Sequence, residues 1–263
     1  MKPKMVSRRP TATRAMLAGA MLWLVLMSVT LHAVAQVAGT VTQLSGAMMA
    51  KKADGKVKIL SLKSEVESGD TLMTEKNTYA LVKFIDSSEI TLKPGTTFVV
   101  EQFAYQADQP DGDRASFNLV KGGLRSLSGL LGKRNKEKFS LKTPVATIGI
   151  RGTYFTADYI VAGASKAAGV SQPQTAPSSG PTLAPGLYTS VTTGQIVVSN
   201  PAGTLDIVAG QFGFTPSFKQ PTTLVPTNPG IQFAPSPVFN ASTGPTASNT
   251  TPGKSNNVDC EVR

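Results

Sequence analysis

From Val37 to about Val161 the sequence is a series of short β-branched and aromatic runs, each cut off within a few residues by Gly, Asp, Asn or Pro. No stretch in this region sustains apolar residues at i, i+3, i+4 and i+7, so an amphipathic helix has no face to bury. Val37, Gly39 and Val41 alternate with polar residues, and Ala53-Asp54-Gly55 turns the chain into Val57 and Ile59. Residues 79–85 (YALVKFI) are apolar on both faces, and Ile90 and Leu92 then alternate with Glu89, Thr91 and Lys93 before Pro94-Gly95. Further runs at 98–105, 117–119, 139–141 and 145–155 continue the series. The pattern predicts an all-β domain of stacked antiparallel hairpins, forming a β-sandwich or a short β-solenoid. Its expected core is Ala80, Val82, Phe84, Ile90, Leu92, Phe98, Val100, Leu119, Leu124, Ile148, Ile150 and Phe155.

The first 35 residues read differently. A basic stretch to Arg14 precedes the apolar run AMLAGAMLWLVLM (15–27), and Ala33-Val34-Ala35 stands before Gln36. A positive start, a short apolar centre and an A-x-A box are the parts of a secretory signal peptide cleaved between Ala35 and Gln36. The uninterrupted apolar run is shorter than the roughly 20 residues a spanning helix needs, so no membrane span is expected after cleavage. Export would place the protein in the periplasm, at the cell surface or outside the cell.

Cleavage also changes the available chemistry. Removing 35 of 263 residues leaves 228, and takes five of the 26 Lys and Arg, the one His (His32) and the one Trp (Trp23). The formal charge falls from +10 to +5, so the basic pI is weak support for a nucleic-acid partner, and none is expected. Without histidine there is no Ser-His-Asp or Cys-His nucleophile and no His-ligated metal. Cys260, near the C-terminal end, can neither close an internal disulfide nor anchor a cluster. No cofactor and no metal site are expected.

Residues 163–186 (GASKAAGVSQPQTAPSSGPTLAPG) are poor in bulky side chains and predict a flexible insertion within the domain. Strand-like sequence resumes over 187–214 as closing strands of the 36–162 domain. From Thr215 to Arg263 the chain carries eight of the 18 prolines with many Thr, Ser and Asn, which predicts a disordered tail.

Two segments carry a family pattern. Gly69-Asp70-Thr71-Leu72, Ala80-Leu81-Val82 and 84–92 (FIDSSEITL) resemble the first half of the FecR domain. Residues 119–125 (LVKGGLR) resemble its L-x-x-G-x-x-R strand, and 143–155 (TPVATIGIRGTYF) its TP-x-A-x-x-G-x-RGT-x-F hallmark of Thr143, Pro144, Gly149, Arg151, Gly152, Thr153 and Phe155. The resemblance spans about Val37 to Phe214. It implies a stand-alone exported FecR-domain protein, without the anti-sigma segment and membrane helix of the family's iron-transport regulator. In one detail the chain departs: Asp86-Ser87-Ser88 stands where the family usually has Asp-Gly-Ser.

As a continuous strand, 145–155 places Thr147, Gly149, Arg151, Thr153 and Phe155 on one face. Arg151 is then expected to pair with a carboxylate such as Asp86 or Asp70 and to fix the packing of two sheet layers. In the alternative it faces an open cleft and binds a ligand. Lys121, Arg125, Lys133, Arg134, Lys136, Lys138 and Lys142, opposed within the segment only by Glu137, form either a solvated basic loop or a patch for an anionic partner. Asp108, Asp111 and Asp113 resemble part of a calcium loop but lack its bidentate Glu, and read as a turn. Glu65 and Glu67 share a strand face without an evident cleft. The residues together predict a non-enzymatic binding or scaffold protein of the bacterial envelope, engaging an envelope protein or an anionic cell-surface polymer. A signalling accessory, a cell-wall or polysaccharide binder and, lastly, an enzyme using Glu65, Glu67 or Asp86 remain as alternatives.

Overall fold

The turn residues between the apolar runs cut the chain into short strands. The computed structural model describes residues 36–162, 183–231 and 233. Its N-terminal strands are β1 (Val37–Leu44), β2 (Met48–Lys51), β3 (Val57–Leu60), β4 (Glu65–Glu67), β5 (Thr71–Thr74), β6 (Ala80–Phe84), β7 (Glu89–Leu92) and β8 (Thr97–Ala104). The long β9 (Arg114–Leu127) leads into a single-turn helix, α1 (Leu130–Arg134), and a 3-10 turn at Lys136–Lys138. Then follow β10 (Phe139–Lys142), β11 (Thr147–Ile150), β12 (Tyr154–Ile160), β13 (Gly186–Thr193), β14 (Gln195–Asn200), β15 (Gly203–Val208), β16 (Phe212–Thr215) and β17 (Thr223–Val225).

Hydrogen bonding joins these strands into one open network with two layers. The first layer runs β4-β1-β6-β7-β9-β12-β13-β16-β17. The second runs β3-β2-β5-β8-β9-β10-β11-β14-β15. Strand β9 belongs to both: its first half pairs with β8 and β10, its second with β7 and β12. All pairings are antiparallel except β9–β10. The layers meet through aromatic packing, with Phe84 of the first at 4.8 Å from Phe103 and 5.3 Å from Phe117 of the second.

Every residue expected in the core, from Ala80 to Phe155, is buried. The core extends beyond that expectation to Phe103, Phe117, Leu141, Leu187, Ile196, Val198 and Ile207. Alternation explains the pattern: in β11 Ile148 and Ile150 face in, while Thr147 and Gly149 are half-exposed.

The structure corrects two expectations. Residues 145–155 are not one strand: β11 lies in the second layer and β12 in the first, and the chain crosses at Arg151-Gly152-Thr153, where Gly152 has φ 64°. Thr153 and Phe155 are therefore buried, whereas Arg151 is exposed. The segment from Thr215 is also structured as far as Ile231. Strand β17 pairs with β16, and the Thr215 and Thr222 hydroxyls bond at 2.8 Å. The Asn200 amide donates to the Val145, Ser217 and Gln220 carbonyls, and Ile231 is buried. The signal segment, most of the insertion, and the chain from Ala234, including Cys260, lie outside the described residues.

Candidate functional site

The hallmark residues build two turns. Thr143 accepts from the Ala146 amide at 3.0 Å through Oγ1 and donates to the Ala146 carbonyl at 2.7 Å, closing the β10–β11 turn around the exposed Pro144. At the layer crossing, Thr153 Oγ1 accepts from the Arg151 amide at 3.1 Å and donates to the Gln195 carbonyl at 2.7 Å. Ser128 reciprocates: its Oγ accepts from the Thr153 amide at 2.9 Å and donates to the Thr153 carbonyl at 2.9 Å. These bonds satisfy the polar groups that a strand leaves when it changes layer. Phe155 is the apolar anchor just past the crossing.

Arg151 does not take the partner expected for it, because its side chain points out of the crossing. Its proposed carboxylates are engaged elsewhere. Asp70 receives Lys52 Nζ at 2.9 Å. Asp86 accepts from the amide and hydroxyl of Ser88, at 2.9 and 2.5 Å, and from the Leu131 amide at 3.2 Å. Buried Asp86 thus ties the β6–β7 turn to the start of α1. Among the described residues the Arg151 side chain makes no ion pair.

The basic segment separates into groups. Arg134 is structural: Nε and Nη2 bind the two carboxylate oxygens of Asp113, each at 2.7 Å, while Nη1 and Nη2 donate to the Ala107 and Gln106 carbonyls. Its guanidinium also covers the Tyr105 ring at 4.6 Å. Asp113 is fully buried, and the Arg134 hydrogen bonds hold its carboxyl below the usual value. The Asp-rich turn is accordingly an arginine clamp. Lys142 pairs with Glu101 at 2.8 Å, and Glu67 lies 3.2 Å from Lys52, so neither Glu67 nor exposed Glu65 flanks a cleft. Lys121 lies opposite Thr97 in the second layer, Arg125 lies against Tyr154 in the first, and Lys138 is half-buried at the end of the 3-10 turn.

Lys133, Lys136 and Arg151 line two grooves on either side of the hallmark turn. A groove of about 430 Å³ is lined by Lys136, Glu137, Phe139, Gly149, Arg151 and Val197. A second, of about 360 Å³, lies by the crossing between Lys133, Gly129, Gly152 and Thr193. The hallmark turn therefore stands between two grooves, one carrying Lys136 and Arg151 beside Glu137 and the other carrying Lys133. The floor of the first is Gly149 and Val197, where a partner's backbone can approach closely. Sequence reasoning missed Val197 and Thr193, which reach the grooves through the β11–β14 pairing and through the β12–β13 pairing across a long insertion.

One further charged pair is interior. Asp158 of β12 meets Lys93 at 2.8 Å, with both side chains largely covered. Burial raises the Asp158 carboxyl above its usual value, and Lys93 offsets part of that rise. Among the described residues no three His, Cys, Asp or Glu side chains gather in a metal-binding arrangement.

Residues 70–171 match the model of a protein family described as FecR protein. No curated protein matches the chain. Two crystal structures of a candidate anti-sigma factor from Parabacteroides distasonis align with 13% identity over 59% of this chain, with TM-scores of 0.40 and 0.39. The alignment spans 58% of the length of those structures. A cell surface anchoring domain aligns with 19% identity over 24% of this chain and 82% of its own, with a TM-score of 0.23.

Proposed function

Given that the chain carries a FecR domain over residues 70–171, we propose that it is a non-catalytic binding protein of cell-surface signalling that engages a protein partner at the hallmark turn. The observation that carries this reading is the placement of Lys133, Lys136 and Arg151 along two grooves beside a rigidly hydrogen-bonded turn. A fixed turn with unpaired cations on its rim suits recognition of an acidic protein face, because the rim needs no rearrangement before docking. The basic, apolar and A-x-A start of the sequence supports export to the bacterial envelope. Among the described residues no helix is long and apolar enough to cross a membrane. The regulatory character of the family fits a protein that works by binding.

The test is cross-linking of the native protein in separated envelope fractions, comparing wild type with the Lys133→Glu, Lys136→Glu, Arg151→Glu triple variant. All three side chains are exposed, so thermal unfolding should be nearly unchanged while a specific cross-linked protein is lost. Retention of every cross-link by the folded variant would reject this surface. Binding to purified wall polymer that disappears with salt, with no protein cross-link, would instead establish the polymer-binding alternative.

A further inference from the structure

The outer face of the first layer holds a second recessed site, away from the hallmark turn. Along β7, β9 and β12 the residues Ile90, Leu92, Leu124, Ser126 and Phe155 point into the core. The alternate positions therefore face outward, where Glu89, Thr91, Arg125, Leu127 and Tyr154 line a groove of about 210 Å³. Strand register fixes their order. Glu89 is opposite Leu127, which is opposite Tyr154; Thr91 is opposite Arg125.

Arg125 is unusual in its surroundings. Its guanidinium lies 5.5 Å from the Tyr154 ring centroid and 4.1 Å from that of Phe233. The aromatic contacts hold the guanidinium in place and leave its in-plane N–H donors available. Among the described residues those donors have no hydrogen-bond acceptor or ion-pair partner. A stacked, half-buried guanidinium is preorganised to grip a planar carboxylate through two parallel hydrogen bonds.

Glu89 makes the site selective. It stands diagonally across the strand pair from Arg125, a separation of about 7–8 Å between such positions. Its only ion-pair partner among the described residues is Lys83, at 4.0 Å. A bare anion at Arg125 would feel the Glu89 charge, whereas a ligand bearing a carboxylate next to an N–H would satisfy both residues. Leu127, 41% exposed, and Tyr154 supply an apolar wall between them. The volume suits one residue rather than a long segment.

We propose that this groove captures the C-terminal residue of a peptide chain. The terminal carboxylate binds Arg125, the same residue's amide N–H donates to Glu89, and its side chain packs on Leu127 and Tyr154. Phe233, beyond the last strand, packs over the Arg125 guanidinium and holds it in place.

The experiment is calorimetric titration of the full chain with N-acetyl-Ala-Ala-Phe carrying a free carboxylate, with its C-terminal amide, and with acetate. The free acid should bind roughly ten- to a hundredfold more tightly than the amide, the range for losing hydrogen bonds to a charged group. Acetate should bind far more weakly than the acid, and Glu89→Gln should weaken the peptide acid without strengthening the amide. Arg125→Lys keeps the charge and the aliphatic stem but loses the planar fork, and should weaken the acid while circular dichroism shows an intact fold. Equal binding of acid and amide, acetate as tight as the peptide acid, or no binding of any probe would each overturn the assignment. So would acid binding unchanged in folded Arg125→Lys and Arg125→Gln.

Discussion

Ser87 sits at φ 65° in the β6–β7 turn, a left-handed conformation that costs a non-glycine residue about 1 kcal/mol or more. The FecR pattern usually places glycine at this position, and the structure supplies the reason. The turn is held on both sides: the Ser87 amide donates to the Phe84 carbonyl at 2.9 Å, and Asp86 binds Ser88 and α1. The Ser87 side chain is exposed and forms no hydrogen bond among the described residues, so nothing in the folded state compensates for the strain. Ser87→Gly should therefore stabilise the protein by about 0.5–1 kcal/mol, the remainder being lost to the added freedom of glycine in the unfolded chain. A denaturant titration reads this directly. A midpoint at or below wild type would show that Ser87 contributes something its exposure hides.

At the scale of elements, single-turn α1 and the 105–113 turn depend on one ion pair, in which Arg134 reaches the buried Asp113. An isolated helix of one turn has no stability of its own. Here Asp86 accepts from the amide at its beginning, and Arg134 at its end clamps Asp113. Because the Asp113 carboxyl is more acidic when folded than its ordinary 3.8, its contribution is complete above that value and is lost as pH falls through the lower folded value. Arg134→Gln removes the cation and leaves a buried carboxylate. Stability at neutral pH should fall, because the buried carboxylate is left without its cation. As pH falls through the Asp113 titration the wild-type and variant stability curves should converge, because the variant lacks the Arg134 hydrogen bonds whose contribution wild type loses there. Asp158, shifted the opposite way, is common to both proteins and does not disturb the comparison.

The same elements show what the sequence could reveal. The strands and buried positions from Ala80 to Phe155 were legible because period-two alternation is a local property. The break after Ile150 was not: Gly152 between Arg151 and Thr153 in a strand-like segment does not say that the next strand joins the other layer. The arginine clamp was hidden because Asp113 and Arg134 meet only after β9 has run its full length between them. The structured 215–231 segment was hidden for a related reason. Its prolines signalled disorder, but the Asn200 amide that binds two of its carbonyls comes from the β14–β15 turn. Of the basic residues, the sequence shows the cations; only the fold could sort Arg134 and Lys142, already paired, from Lys133, Lys136 and Arg151.

At the scale of the molecule, β9 makes the two layers one cooperative unit. It enters the second layer, kinks at Gly122, where φ is 86°, and leaves in the first, bonded to β8 and β10 before the kink and to β7 and β12 after it. Thr96 secures the kink: its Oγ1 donates to the Gly123 carbonyl at 2.9 Å and accepts from the Gly123 amide at 3.0 Å. A Cβ on Gly122 would stand 2.6 Å from the Thr96 Cα, a backbone atom that cannot swing aside. Gly122→Ala thus combines left-handed strain with a backbone clash, and should cost about 3 kcal/mol or more. If β9 couples the layers, wild-type unfolding should be a single transition whose far-ultraviolet and tyrosine signals coincide. Gly122→Ala should shift both signals together, since neither layer keeps its central strand when the kink fails. A variant in which one signal moves and the other stays would mean that the layers fold separately and that β9 only tethers them.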